Sequence, residues 1–286
     1  SWDEALKSLA NALRKAKPKA IAAIAGDQAD VESMFALKSL MNRLGSFNID
    51  CRQDGAKIAG KRAGYLFNST IAGIDDADAL LIIGSNPRIE AAVLNSRIRR
   101  NWLSSRMPIG VVGPKVDLTY DADFFGQDPS NLDAIADGSH KFAVKLKKAK
   151  RPMIIIGMGA MKRADGAAML GKARRIAEAY GVVANGWNGF NMLHTAAARV
   201  GGLDIGFLPG RGAMDIAAMG KAARAGKLDL LWLLGADEID FDAFSSSFIV
   251  YQGHHGDAGA HHADLVLPGA AYTEKDGIYV NTEGRV

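Results

Sequence analysis

Four histidines, His254, His255, His261 and His262, crowd one glycine-rich stretch together with Asp257 and Asp264. Imidazole suits zinc, copper or iron, and a carboxylate could complete the shell, so metal-assisted chemistry is the sharpest reading of this loop. Solvated loop histidines are the plainer reading, because adjacent residues on extended chain point to opposite sides. The stretch lies between two apolar runs, 248–251 and 265–267, and a polar, turn-rich tail follows from Thr273 to Arg285. It reads either as a ligand loop at the end of a sheet strand or as the remnant of one.

A second candidate is Gly157-Met158-Gly159, directly after the apolar run 153–156. Glycines in such a turn let backbone amides reach a pyrophosphate, but the third glycine of that fingerprint is replaced by Lys162. Gly84-Ser85-Asn86-Pro87 and Gly235-Ala236-Asp237 close two other apolar runs in a similar way. The single cysteine, Cys51, excludes a disulfide framework and any cluster held by several thiolates. There is no G-x-S-x-G elbow and no Walker loop, and Ser245-Ser246-Ser247 suits a turn better than a nucleophile.

These residues need elements to hold them. Ser1 and Glu4 form the two ends of a capping box, and Trp2, Leu6, Leu9 and Leu13 follow at helical spacing, giving a helix over 2–16. The pattern predicts strands at 20–25, 79–83, 109–112, 153–156, 228–234, 248–251 and 265–267. It predicts helices over 30–44, 88–103 (with Pro87 at its first position), 130–136, 141–149, 165–180 and 216–225. Residues 46–64 read as irregular loop. The segment 183–212 reads as loop-rich, with Asn185, Gly186, Asn188 and Gly189 among its turn residues and a helix around 192–200. Apolar strands alternating with helices predict an α/β fold of mainly parallel open sheets flanked by helices. Ligands in such sheets bind beyond the strands' carboxyl ends, which places the Gly84 and Gly235 turns on a binding rim.

The chain has 286 residues, 48% hydrophobic and 23% charged, with 32 glycines, 8 prolines and a formal net charge of +4. That length holds one large domain or two ordinary ones with a substantial core. The basic residues are dispersed apart from Arg97, Arg99 and Arg100 and the run from Lys145 to Arg151. Neither run is interleaved with aromatics, which argues against a nucleic-acid partner. No stretch approaches the apolar length needed to cross a bilayer, so no direct membrane insertion is expected.

The segments YQGHHGD (251–257), ADLVLP (263–268), TEK (273–275) and NTEGR (281–285) resemble the molybdopterin oxidoreductase superfamily. More closely, they resemble its branch in the large iron–sulphur subunits of respiratory complex I. SWDEAL (1–6), IAGIDDAD (71–78), GSNPR (84–88), RIRRNWL (97–103), VDLTY (116–120) and LGAD (234–237) agree, so the resemblance covers essentially the whole chain. It implies two Rossmann-like α/β domains, one inserted in the other: 1–49 with 147–286, and 50–146 between them.

Carried over by matching position, Gly84, Ser85, Asn86, Gly157, Gly159, Gly235, Asp237, His254 and His255 are inherited pterin-site residues, expected to be vacant. Cys51 is the alternative metal ligand of a catalytically active, formate-dehydrogenase-like relative, although Arg52 follows it where some relatives carry histidine. Asp257-Ala258-Gly259 likewise stands where active relatives often carry Thr-Glu-Thr. The resemblance implies a non-catalytic region without a cofactor of its own, packing around a cluster-bearing domain that precedes the first helix in the full-length chain. Iron–sulphur clusters are expected in that preceding part, and molybdopterin only under the alternative. Other peripheral-arm subunits of complex I would be the partners, on the cytoplasmic side of a bacterial inner membrane or the matrix side of a mitochondrial one. A small-molecule binding module using the same rim is a third reading. Whether Trp102, Trp187 or Phe190 fills the rim would separate these readings.

Overall fold

The computed structural model describes residues 1–58, 60–184 and 186–286; Asn185, among the turn residues named above, lies outside them. The chain forms two compact units, Ser1–Gly55 with Ala196–Asn281 and Val286, and Ala56–Thr195 with 282–285.

In the first unit a five-stranded parallel sheet is built from β1 (Ile21–Ala25), β2 (Ile49–Asp50), β10 (Leu230–Leu234), β11 (Phe248–Gly253) and β12 (Leu265–Pro268). Their order is β12-β11-β10-β1-β2, with every neighbouring pair parallel. Strands β1 and β10 are buried along their whole length, which is why they read as unbroken apolar runs rather than alternating ones. Ile24, Leu231, Leu233 and Ile249 pack there with Met219 and Phe244 from flanking segments.

The second unit repeats the plan. Strands β3 (Ala79–Ile83), β4 (Ile109–Val112), β5 (Asp123–Phe124), β6 (Pro152–Gly157) and β9 (Phe190–Leu193) order as β5-β4-β3-β6-β9, again all parallel. A small antiparallel pair, β7 (Val183–Ala184) and β8 (Trp187–Asn188), stands beside them. Leu80, Ile82, Met153 and Ile155 meet Leu94, Ile98 and Phe67 in the core.

In both sheets the strand order reverses direction once, between β1 and β10 and between β3 and β6. Those reversals are where an open α/β sheet leaves a crevice. The α/β class and the parallel sheets therefore stand as the sequence pattern has them.

Four expectations need correction. The segment 46–64 is not wholly irregular, because Ile49 and Asp50 pair with Ala23 and Ile24 as an edge strand and carry Cys51 into the core. The helix expected at 192–200 is β9 followed by a helix at Arg199–Asp204. Asn191 inside β9 disguised the strand; it is fully buried because its Oδ1 accepts from Ser69 N at 3.0 Å and its Nδ2 donates to Gly189 O at 3.1 Å. The helix expected over 88–103 breaks at Ala91, leaving Pro87–Glu90 and Ala92–Ser105. The boundary expected near 147 falls instead between 195 and 196, because β6 pairs with β3 over five residues and so belongs to the second sheet.

The NTEGR tail has a structural task in the second unit. Thr282 O accepts from Phe67 N at 2.7 Å, Thr282 Oγ1 donates to Met192 O at 3.2 Å, and Glu283 Oε1 accepts from Ile71 N at 2.6 Å. The tail thereby clasps the 66–71 loop beside β9. In the first unit, Asp30 caps the helix Val31–Arg43 by accepting from Ser33 N at 2.8 Å and is also bonded by Lys275.

Candidate functional site

Each sheet carries a cavity at the carboxyl ends of its strands, and the inherited residues divide between the two. In the first unit a cavity of about 310 Å³ is lined by Asp27 and Gln28 after β1, Gln53 after β2, and Gly235, Asp237 and Glu238 after β10. Tyr251, His254, His255 and Asp257 close it from β11 and the loop beyond. In the second unit a cavity of about 280 Å³ is lined by Gly84, Ser85, Asn86 and Glu90 after β3, and by Gly159, Ala160 and Arg163 after β6. Val112 and Gly113 after β4 complete that wall. Gly157 lies beneath it, pressed on Ser85.

Backbone crossings build the floors of these cavities. A Cβ on Gly26 would lie 1.8 Å from Gly235 O, so the turns after β1 and β10 touch directly. In the second unit a Cβ on Gly84 would lie 2.4 Å from Ala160 N, and one on Gly157 or Gly159 would lie 2.7 Å from Gly84 O. In the second unit the glycines flagged by sequence thus let two βα turns interlock, a close approach only a missing side chain permits; in the first unit Gly26, which the sequence did not single out, makes that approach.

Glu90 adds a feature the sequence did not flag. Its Oε1 accepts from Asn86 N at 2.9 Å and its Oε2 from Ser85 Oγ at 2.7 Å, so a carboxylate of the chain itself occupies the donors of this turn. Arg163, the one basic side chain among the described lining residues, is held in a two-point pair with Asp165 at 2.6 and 2.8 Å.

The first cavity is acidic. Beneath it Arg199, with no solvent exposure, donates from Nη2 to Asp54 Oδ1 at 2.9 Å and lies 3.9 Å from Asp27 Oδ1. Ala198 N donates to Asp27 O at 2.9 Å and fixes the turn after β1. Burial pushes the Asp27 carboxyl above its usual range; Arg199 opposes that push and Asp54 adds to it. Asp237 is raised too, by burial and then by Asp257. Spacing gave no hint of Arg199, since it sits in a short helix far along the chain from both carboxylates.

The four histidines do not converge. The His254 and His255 rings meet edge to face at 4.6 Å, whereas His262 stacks on Phe241 at 4.5 Å with its Nδ1 2.8 Å from Ala258 O. Asp264 is bound to β11 through Ile249 N at 2.8 Å. Among the described residues no group of three or more His, Cys, Asp or Glu is arranged to hold a metal ion. Cys51 is 2% exposed, and burial pushes its thiol up to about 12. Arg52 turns back onto Asp50, with Nε and Nη2 at 2.8 and 2.9 Å from its two carboxylate oxygens.

Trp102, Trp187 and Phe190 line neither rim cavity: Trp102 packs near Tyr120, Trp187 Nε1 donates to Pro152 O at 2.9 Å, and Phe190 borders a different groove. That groove, of about 590 Å³ in the second unit, has Ala63, Ala177 and Val183 along its wall and lies off the strand ends. Its described lining residues include no histidine, cysteine or hydroxyl group.

Comparison with known proteins gives a consistent picture. The family model described as Molybdopterin oxidoreductase matches residues 1–286. The NADH-quinone oxidoreductase G subunit of Rickettsia bellii is 46% identical over 286 residues, covering 100% of this chain and 40% of its own length. The mitochondrial NADH dehydrogenase [ubiquinone] iron-sulfur protein 1 of Solanum tuberosum is 42% identical, covering 99% of this chain and 37% of its own. The chain thus spans about two fifths of the curated relatives it matches. A chain of the formyltransferase/hydrolase complex from Methylorubrum extorquens shares the fold with a TM-score of 0.71 at 18% identity, over 100% of this chain and 89% of that one. Acetylene hydratase from Pelobacter acetylenicus follows at 0.57 and 12%, over 99% of this chain and 54% of its own.

Proposed function

Because the chain belongs to the molybdopterin oxidoreductase family, we propose that it serves as a non-catalytic region of the large iron–sulphur subunit of NADH-quinone oxidoreductase (complex I). Its task would be to pack around the cluster-bearing domain of its own full-length chain and the neighbouring peripheral-arm subunits. Electrons would pass through clusters held in that other domain, with none bound here. The place of work would be peripheral, on the cytoplasmic or matrix side; no helix among the described residues is long and apolar enough to cross a membrane.

The assignment to complex I is supported by similarity that runs the full length of the chain to NADH-quinone oxidoreductase subunits. The absence of chemistry is supported chiefly by Glu90, whose carboxylate takes the Ser85 and Asn86 donors where an anionic group would otherwise sit. A pterin dinucleotide brings a diphosphate, and the residues present do not suit one. The first cavity presents Asp27, Asp237, Glu238 and Asp257, and like charges close together repel. The second presents Glu90 and an arginine already paired with Asp165. Each cavity also stands at or below the lower end of the roughly 300–1,000 Å³ common for small-ligand sites.

The test is made on the full-length subunit in the assembled complex. Cys51→Ala is expected to leave NADH:quinone turnover essentially unchanged, and metal analysis of the purified complex is expected to find iron without stoichiometric molybdenum. Stoichiometric molybdenum lost on Cys51→Ala, with folding retained, would establish the active-enzyme alternative instead.

A further inference from the structure

The groove of about 590 Å³ in the second unit, away from the strand-end cavities, combines an apolar wall with cations that lack counter-charges. Its volume falls within the roughly 300–1,000 Å³ common for small-ligand sites. Arg174, Ala177 and Glu178 stand three and four residues apart on the helix Gly166–Ala179, so one helix face supplies all three. The segment 60–64 adds Lys61 and Ala63, and β7 and β9 add Val183 and Phe190. Ala177 and Phe190 are buried, whereas Val183, at 56% exposure, leaves apolar surface in water. Arg174 and Lys61 have no carboxylate partner among the described residues, although Glu178 stands one helical turn beyond Arg174. The Arg174 guanidinium lies against the 60–64 segment: a Cβ on Gly64 would stand 3.2 Å from its Nη2 and one on Gly60 3.8 Å, so two glycines make its room. Asn188 Oδ1 accepts from Phe190 N at 3.2 Å, which leaves its amide NH2 as a further donor. Two cationic side chains and one acidic one leave the described lining with a single formal positive charge.

We propose that this groove binds an amphipathic monocarboxylate, a single carboxylate on a flexible aliphatic body. The planar Arg174 fork matches a carboxylate at two points, and Lys61 adds a compact second charge. The aliphatic body lies along Ala63, Ala177, Val183 and Phe190, where its removal from water is favourable. A ligand with a second carboxylate exceeds the single positive charge of the lining and meets Glu178, and an organic cation is opposed by Arg174 and Lys61. The described lining offers no histidine, cysteine or hydroxyl group, so the carboxylate is held rather than transformed. The binding chemistry rests on these side chains alone, whatever complex the chain joins.

The probe is octanoate, titrated into the full-length chain by calorimetry, with acetate as the control lacking an apolar body and octylammonium as the control of opposite charge. Saturable one-to-one binding of octanoate, weakening with added salt and absent for both controls, is the expected result. Hexanoate should bind about fivefold more weakly, since two methylenes fewer are partly buried. Arg174→Gln should weaken octanoate binding about tenfold, as a hydrogen bond to a charged group is lost. Arg174→Lys, which keeps the charge without the fork, should lose less. Ala63→Phe, at an exposed position, should fill the groove and weaken binding too; circular dichroism establishes that each variant is folded. The proposal is overturned if octanoate fails to saturate, if Arg174→Gln and Ala63→Phe bind it as the unaltered chain does, or if octylammonium binds in its place. Protection of Lys61 from chemical acetylation in the ligand-free full-length chain would mean that a protein segment covers the groove, and would overturn it as well.

Discussion

Glu90 folds back on the turn that Ser85 opens, its Oε2 accepting from Ser85 Oγ at 2.7 Å while Oε1 holds Asn86 N at 2.9 Å. A short helix beginning at Pro87 makes this possible, because four residues of helical rise return the side chain over its own N-terminus. Removing the carboxylate leaves a half-buried N–H and a buried hydroxyl without their acceptor. Glu90→Ala is expected to lower stability by about 1–3 kcal/mol, read as a shift in the urea midpoint at unchanged slope. Glu90→Gln keeps one acceptor and should lose less.

Arg199 is a fully buried charge of the first unit. Its removal takes the guanidinium away from Asp54 and from beside Asp27, and a carboxylate that loses a buried counter-charge is destabilising. Arg199→Met is expected to destabilise the chain by about 3–5 kcal/mol, and Arg199→Met combined with Asp54→Asn should recover part of that loss. Equal instability of the single and double variants in chemical denaturation would contradict the pairing.

Asp30 gives a pH dependence of definite sign. Burial alone would push its carboxyl upward, but the bonds from Lys275 and Ser33 outweigh it and hold it below the usual range. An acid with a lowered folded pKa adds stability that is present above its unfolded pKa and lost as pH falls through the folded one. Asp30→Ala should therefore cost about 1–2 kcal/mol at neutral pH, the range for losing an N-cap. The gap between variant and parent should close in acid. Melting curves across that pH range check it.

Asp237 should behave in the opposite sense. Its folded pKa is raised, so the folded state binds more protons and stability falls as pH rises from the usual carboxylate range through that raised value. Asp237→Asn is expected to hold or slightly raise the melting temperature at neutral pH and to flatten that fall. A melting temperature lower than the parent's at neutral pH would count against it.

Cys51 should be inert. A thiol 2% exposed and pushed up to about 12 offers almost no thiolate to a reagent at neutral pH. Labelling with a thiol reagent should proceed only at the rate of unfolding and become fast in denaturant; prompt labelling of the native chain would place Cys51 on an open surface.

Much of this molecule was legible in its sequence. The capping box at Ser1 and Glu4, the unbroken apolar runs of β1, β3, β6 and β10, and the glycine turns that end them are local signals, each read within one turn or one strand. They determined the α/β class and placed Gly84, Gly157 and Gly235 at strand ends. The motifs of the last third pointed to the family.

Only the tertiary structure decided the rest, because it depends on which distant segments meet. β9 was hidden because Asn191 becomes a strand residue only once the 66–69 loop satisfies its amide. The unit boundary moved because a strand belongs to the sheet that pairs it, and β6 pairs with β3. The four histidines looked like one cluster along the chain, yet a ring stacked on Phe241 and a pair at the cavity rim cannot share a ligand. Arg199 and Asp54 are 145 residues apart and neither is conspicuous alone. Burial turns a dispersed arginine into the counter-charge of a cavity floor, and burial is a property of packing that no local spacing carries.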